Sequence, residues 1–491
     1  MAEARRVRTA PARRPSLPPT RPGRWAPLLA ALLLLPAEAR ASEPLPEPAP
    51  IPAAGPFVRP AGAAELEEMA VGYQALFTCS AHFFAGRPLD DILEVELADV
   101  RPLGLPAPEI DERRRLVRAR DGLGRAMVAA YREDMGCTLL PPHWTEEDVG
   151  RLPHVELPDP PDRSELPFPR GDRVRTPDLD RAQRELLEQA FDGSTYGEDN
   201  LTVAVLVLRG EEVLAERYRP GFGVHRGYRT WSTAKTISAA LIGIAVRLGV
   251  LELDQPAPIP EWGYFDDPRR AITLTHLLHM SSGLYSRGSN THAIYFGGQD
   301  VLSAATTTPL EVPPGTRWKY ANNDTLLALR ALRAALDDDL RYLRFPYDEL
   351  FSKIGMHHTR MEVDHRGNFV GSSQVYTTAR DLARFGLLLL QDGRWEGEAI
   401  LPEGFTDFLA QPAPTRPRRS GERGYGAQAW LLDTFDGIPE GTYTTAGNKG
   451  QYVTIVPSED LVLVRTGVDP RGHRWDHPRF VAAAVERFGR D

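Results

Sequence analysis

Ser232 and Lys235 stand three residues apart in the segment RTWSTAKTIS, residues 229–238, and chemistry can begin with that pair. Of the 58 basic residues in the chain only four are lysines (Lys235, Lys319, Lys353 and Lys449); the rest are arginines. The choice matters because a desolvated lysine can lose its proton near neutral pH, whereas an arginine keeps its charge. On a helix, residues i and i+3 share a face. Trp231–Val250, WSTAKTISAALIGIAVRLGV, reads as a strongly apolar, buried helix with Ser232 in its first turn. Burial lowers a lysine pKa by penalising the charged form, so a neutral Lys235 can take the Ser232 proton and leave an activated nucleophile. The helix start adds free N–H groups and a positive dipole end for charge developing nearby.

Two further groups of residues suit the same chemistry. WKYANNDT places Tyr320 and Asn322 in a Y-x-N pattern before the helical run TLLALRALRAAL. A phenol can relay a proton, and a carboxamide can hydrogen-bond a substrate carbonyl without carrying charge. An ordinary core tyrosine and a helix cap are the plain alternatives for these two. In TAGNKGQYVTIVP, Gly447 and Gly450 surround Lys449 at the start of a strand, where glycine lets backbone approach a ligand. A strand N–H there, with that of Ser232, makes an oxyanion hole; a glycine-rich hairpin turn is the plain alternative.

Other chemistries find little support. His276 and His279 share a helix face but lack acidic or cysteine partners, so they read as core or hydrogen-bonding residues. His473, Asp476 and His477 in GHRWDHP form only a weak metal pattern. There is no G-x-S-x-G, no H-E-x-x-H and no phosphate-cradling loop. The expectation is a site without metal or cofactor.

S-x-x-K, Y-x-N and a late glycine-flanked strand, in this order, resemble the serine β-lactamase and penicillin-binding-protein-like superfamily. The Y-x-N form is similar to its class C β-lactamase-related branch, which also holds esterases, D-amino-acid peptidases and 6-aminohexanoate-dimer hydrolases. ITLTHLLHMSSGL and TTARDLARFGLLLLQDG resemble flanking segments of that branch, and the likeness covers roughly residues 180–487. It implies Ser232 as acylated nucleophile, Lys235 as base, Tyr320 as proton relay to the leaving group and Asn322 as substrate ligand. The third motif departs from the family's Lys-Thr-Gly or His-x-Gly. Placing Gly450 on the family glycine puts Asn448 at the Lys or His position and Gln451 at the oxyanion N–H. A slip by one puts Lys449 at that position and Gln451 in place of the glycine; the first register is preferred. FTCSAHFFAGRP and YREDMGCTLL look like the lead-in of some exported members.

The elements that must position these residues come from both ends of the larger unit. LDRAQRELLEQAF suits an amphipathic helix. LTVAVLVLRG and EVLAERYRP read as a hairpin turning at Gly210-Glu211. GAQAWLLD, GTYTTAG, GQYVTIVP and LVLVRTG are late strands, followed by the helical FVAAAVERF. The fold class is therefore α+β: an antiparallel sheet built from both ends of the domain, helices on its faces and an all-helical insert. The expected division is a signal peptide (1–41), a proline-rich linker (42–60), a small N-terminal domain (61–150), a second linker (151–175) and the main domain (176–491).

The opening residues combine eight arginines with the apolar run WAPLLAALLLLPA and an Ala39-Arg40-Ala41 site, the layout of a secretory signal cut after Ala41. The apolar run falls short of the ~20 residues that span a bilayer, so no stable membrane span is expected after cleavage. That predicts a periplasmic or secreted protein. Export permits a disulfide between Cys79 and Cys137, worth about 4 kcal/mol on loop-entropy grounds; two buried free thiols are the alternative. The net charge is −9, and without the leader it becomes more negative, which argues against nucleic acid as a partner. The reading is an exported serine hydrolase acting on a small amide or ester. A β-lactamase or D,D-peptidase is the alternative enzyme, and a non-catalytic binding module on the same fold the alternative of another class.

Overall fold

The computed structural model describes residues 63–98, 100, 104–175, 177–264, 266–286 and 294–490, with side chains of the first helix from Glu68 onward. The expected signal peptide and first linker lie outside the described residues.

The chain opens with helix α1 (Ala63–Cys79) and a four-stranded antiparallel sheet. Its strands are β1 (Glu109–Asp111), β2 (Leu116–Arg120), β3 (Ala126–Arg132) and β4 (Gly136–Leu139), paired in chain order. The run RAMVAAYREDMGC thus holds one strand, a tight turn and the start of the next. Cys79 at the end of α1 and Cys137 in β4 form a disulfide with Cα atoms 6.1 Å apart. Phe77, Val117, Ala129 and Cys137 from this region share one apolar cluster with Leu241, Leu326 and Phe385 of the following region.

Helix α2 (Arg181–Phe191) starts with a reciprocal cap between Asp180 and Gln183, which satisfies two otherwise free N–H groups. Strands β5 (Thr202–Arg209) and β6 (Glu212–Tyr218) follow, turning through Gly210-Glu211 because Arg209 pairs with Glu212. Alternation along β5 sends Ala204, Leu206 and Leu208 to one face and Val205 and Val207 to the other. Both faces must therefore be covered, and they are. Helix α2 and the last helix carry Leu186, Leu187, Phe480 and Val481 onto one of them.

The middle of the chain is mostly helical: α3 (Ala234–Arg247), α4 (Leu274–Leu278), α5 (Val301–Thr307), α6 (Asn322–Leu336), α7 (Asp339–Pro346), α8 (Ala379–Leu390) and α9 (Phe405–Ala410). It also carries a small sheet ordered β7 (Tyr228–Arg229), β9 (Val375–Thr377), β8 (Arg360–Met361), and the hairpin β10 (Arg394–Trp395), β11 (Glu398–Ala399). The chain then returns through β12 (Gly424–Tyr425), β13 (Trp430–Leu431), β14 (Tyr443–Gly447), β15 (Gln451–Val456) and β16 (Leu461–Gly467) before closing with α10 (His477–Phe488). One seven-stranded antiparallel sheet results, in the order β12-β13-β14-β15-β16-β5-β6. Early and late strands meet where β16 pairs with β5, Val464 opposite Leu206. This is the α+β architecture expected. Among the described residues no helix is long and apolar enough to cross a membrane.

Candidate active site

Ser232 lies in a single 3₁₀ turn, Trp231–Thr233, that leads into α3, and not in an α-helical first turn as the apolar run suggests. Trp231, at the head of that turn, has a left-handed φ of 49°. That left-handed conformation costs a residue with a Cβ about 1–2 kcal/mol. A 3₁₀ turn eclipses residues i and i+3, and Lys235 Nζ lies 3.1 Å from Ser232 Oγ.

Lys235 is 1% exposed, and its Nζ donates to the Ser372 carbonyl at 2.7 Å. Among the described residues no carboxylate pairs with it. Burial without a counter-charge brings its pKa down to about 7. The amine thus divides near neutrality between a charged form and one with a free lone pair.

Tyr320 approaches the same hydroxyl. Burial pushes its phenol pKa up to about 12, and a hydrogen bond with Ser232 opposes part of that rise. Lys235 Nζ is 5.0 Å from the centre of the Tyr320 ring. The ring stacks on Trp430 at 5.6 Å and meets Tyr425 edge-on at 6.0 Å, so the loop before α6 is held by aromatic packing. Met280 pins the backbone of that loop: its carbonyl accepts from Lys319 N at 2.8 Å, and its Sδ from Ala321 N at 3.3 Å. Asn322 is the first residue of α6, half-buried, while Ala321 takes the cap position without any side-chain cap.

The third motif divides across the hairpin joining β14 to β15. A Cβ on Gly447 would stand 2.2 Å from the Thr230 carbonyl oxygen, so only glycine lets β14 run this close to the nucleophile turn. Thr233 Oγ1 meets Thr445 Oγ1 at 3.0 Å and donates to the Gln451 carbonyl at 3.3 Å. Asn448 follows Gly447 directly, and Lys449 at φ 56° and Gly450 at φ 84° complete the turn. Gly450 faces the other way: a Cβ there would collide with Arg465 Nη1 at 1.5 Å. The Gln451 side chain, 2% exposed, donates to the Lys449 carbonyl at 3.2 Å and to the Gly467 carbonyl. The glycine against the Thr230 carbonyl, directly before the nucleophile turn, is Gly447.

Residues 185–475 match the Beta-lactamase family over more than half of the chain. The chain belongs to that family. It is 27% identical over 304 residues to the 6-aminohexanoate-dimer hydrolase of Paenarthrobacter ureafaciens, covering 57% of this chain and 76% of that protein. In fold it resembles a penicillin-binding protein homolog from Caulobacter crescentus, with a TM-score of 0.51 at 16% identity, covering 64% of this chain and 99% of that one. The Beta-lactamase match begins after α1 and β1–β4.

Around Ser232 and Lys235, several neighbours carry no motif. The Ser372 carbonyl that accepts a hydrogen bond from Lys235 Nζ is backbone, which no residue type announces. Tyr295, fully buried, sets its hydroxyl 3.0 Å from Ser372 Oγ. Buried Asp324, its pKa raised to about 7 by burial, accepts from Ser282 Oγ at 2.8 Å and ties α6 to the MSSGL segment. The histidines have other work. His276 Nδ1 accepts from Thr273 N in a helix cap, and His279 packs on Phe408 at 4.9 Å. His477 stacks on Tyr452 at 3.7 Å and bonds Thr454 Oγ1 at 2.7 Å, while Asp476 caps α10.

Proposed function

We propose that this Beta-lactamase family chain is an exported serine hydrolase that cleaves a small amide or ester through an acyl-enzyme on Ser232. The observation that carries the reading is the buried Lys235 amine, with a pKa brought to about 7, 3.1 Å from the Ser232 hydroxyl. Neutral Lys235 takes the hydroxyl proton as Oγ attacks the substrate carbonyl. The oxyanion forms at the start of the 3₁₀ turn, facing the Ser232 N–H. The approach of Gly447 to Thr230 favours the Asn448 N–H as the strand-side donor, in place of that of Gln451. Tyr320, protonated across the physiological range, passes its proton to the departing nitrogen or oxygen and regains one from the Lys235 ammonium, which leaves the amine neutral for the second step. Water then attacks the ester on Ser232, with Lys235 again as base, and restores the free serine. Asn322 at the head of α6 is assigned to the substrate amide.

The relative from Paenarthrobacter ureafaciens makes a linear amide of ω-amino acids the first substrate to try. Reaction with a fluorophosphonate probe tests the reading: wild-type protein takes up one label at Ser232 and Ser232→Ala takes up none. Failure of the folded wild type to label would leave a binding module. Turnover of nitrocefin in preference to p-nitrophenyl esters and ω-amino-acid oligomers would move the assignment to a β-lactamase. N-terminal sequencing of protein recovered from the periplasm or medium, expected to begin at Ser42, tests the export step.

A further inference from the structure

We infer that Phe77, carried by α1 outside the matched Beta-lactamase region, is a positioning residue for the nucleophile and its base; the inference rests on the assignment of Ser232 and Lys235 above. The Phe77 ring touches both arms of the site. On one side it packs on Trp231 at 5.3 Å, the left-handed residue whose conformation sets the direction of the next residue, Ser232. On the other it lies 4.3 Å beneath the buried Arg229 guanidinium, which also sits 4.5 Å over Trp231. Arg229 Nη2 in turn donates to Ser373 Oγ at 2.9 Å, and the neighbouring Ser372 carbonyl is the acceptor for Lys235 Nζ. One ring therefore constrains the serine through Trp231 and the lysine through Arg229.

The rest of the N-terminal region is arranged to keep that ring in place. Tyr73 stacks on Phe77 at 4.0 Å and reaches Phe296 at 4.7 Å. Gly72 lets α1 approach so closely that a Cβ would lie 1.9 Å from the Phe296 carbonyl oxygen. Directly after α1, Ser80 Oγ donates to buried Glu362 at 2.7 Å, and Cys137 N donates to the same oxygen at 2.9 Å. The disulfide between Cys79 and Cys137 closes the arrangement two residues beyond Phe77. The turn is closed by Thr233 N donating to the Thr230 carbonyl at 3.2 Å, and the aromatic packing holds Trp231 at its φ; without the ring the turn relaxes and Ser232 swings off line.

Two variants separate positioning from mere stability. Phe77→Leu keeps apolar volume and loses the ring; Phe77→Tyr keeps the ring and buries an extra hydroxyl. Burst kinetics with p-nitrophenyl acetate give the acylation rate constant and KM, alongside thermal melts. Phe77→Leu is expected to slow acylation about 10- to 100-fold with KM within about two-fold, the scale of a small misplacement of reacting groups. Phe77→Tyr is expected to melt earlier yet acylate within about three-fold of wild type. Phe77→Met replaces the leucine variant if that does not fold. A ring-less variant that acylates at the wild-type rate overturns the inference, as does a loss of rate in both variants that merely follows their melting temperatures. A wild-type protein that never labels at Ser232 fails at the preceding assignment, and this inference falls with it.

Discussion

Lys235 and Arg465 are both buried basic side chains, and they are treated in opposite ways. Arg465, 0% exposed, meets Asp469 with two 2.7 Å hydrogen bonds, reaches Thr202 Oγ1 at 2.9 Å and the Gly450 carbonyl at 2.9 Å. Lys235 has a hydroxyl and a carbonyl and, among the described residues, no acid. At the β14–β15 turn a fully paired charge holds the backbone; beside Ser232 an amine without a counter-charge is driven towards neutrality. The difference teaches that burial alone does not make a cation reactive. Burial without a counter-charge does, and only for a group that can give up its proton.

The contrast can be broken most severely at Lys235. Lys235→Arg removes the base and fixes a permanent charge where no counter-charge stands, so kcat is expected to fall about 10⁴-fold and the melting temperature to fall as well. Retention of most of the rate would make Lys235 a structural cation like Arg465. Tyr320→Phe should slow turnover about 10²- to 10³-fold, mostly for substrates with poor leaving groups. On the paired side, Asp469→Asn leaves a buried guanidinium without its partner and is expected to cost about 3–5 kcal/mol in urea unfolding. It should perturb catalysis only through the loosened turn.

The pH dependence sharpens the same comparison. Below about pH 7 Lys235 is charged and cannot accept the serine proton, so kcat/KM should rise about ten-fold per unit up to about pH 7 and then level. Stability moves in the same direction. The lysine pKa is near 10.5 unfolded and about 7 folded, so between those values the unfolded chain binds the extra proton and raising pH stabilises the fold. Lys235→Met should therefore melt higher than wild type at pH 6, by a margin that narrows as pH rises towards 10. A margin independent of pH would place the titrating group elsewhere.

Much of the architecture is legible because it arises locally. The continuous apolar, valine-rich run of β5, the turn at Gly210-Glu211 and the apolar run of α3 each state their element within a few residues. The serine and lysine can be paired from spacing alone, since both α and 3₁₀ geometry bring i and i+3 together. The turn type itself was not legible. The left-handed φ of Trp231 belongs to a residue type that disfavours it, and comes from packing against Phe77 and Arg229. Nor could residue type choose between Gly447 and Gly450, three positions apart in one hairpin. That required knowing that Thr230 lies against one and Arg465 against the other.

Residue order by itself determined which side chains were available for acyl chemistry, their spacing, and the α+β elements that carry them, because those depend on neighbours a few residues away. Tertiary structure decided the pKa shift of Lys235, the glycine that lies against Thr230, and the use of α1 against Trp231. Each depends on atoms brought from more than a hundred positions away, such as the Ser372 carbonyl or the Phe77 ring. Desolvation and close packing are properties of the assembled surroundings and cannot be read from any single stretch of chain.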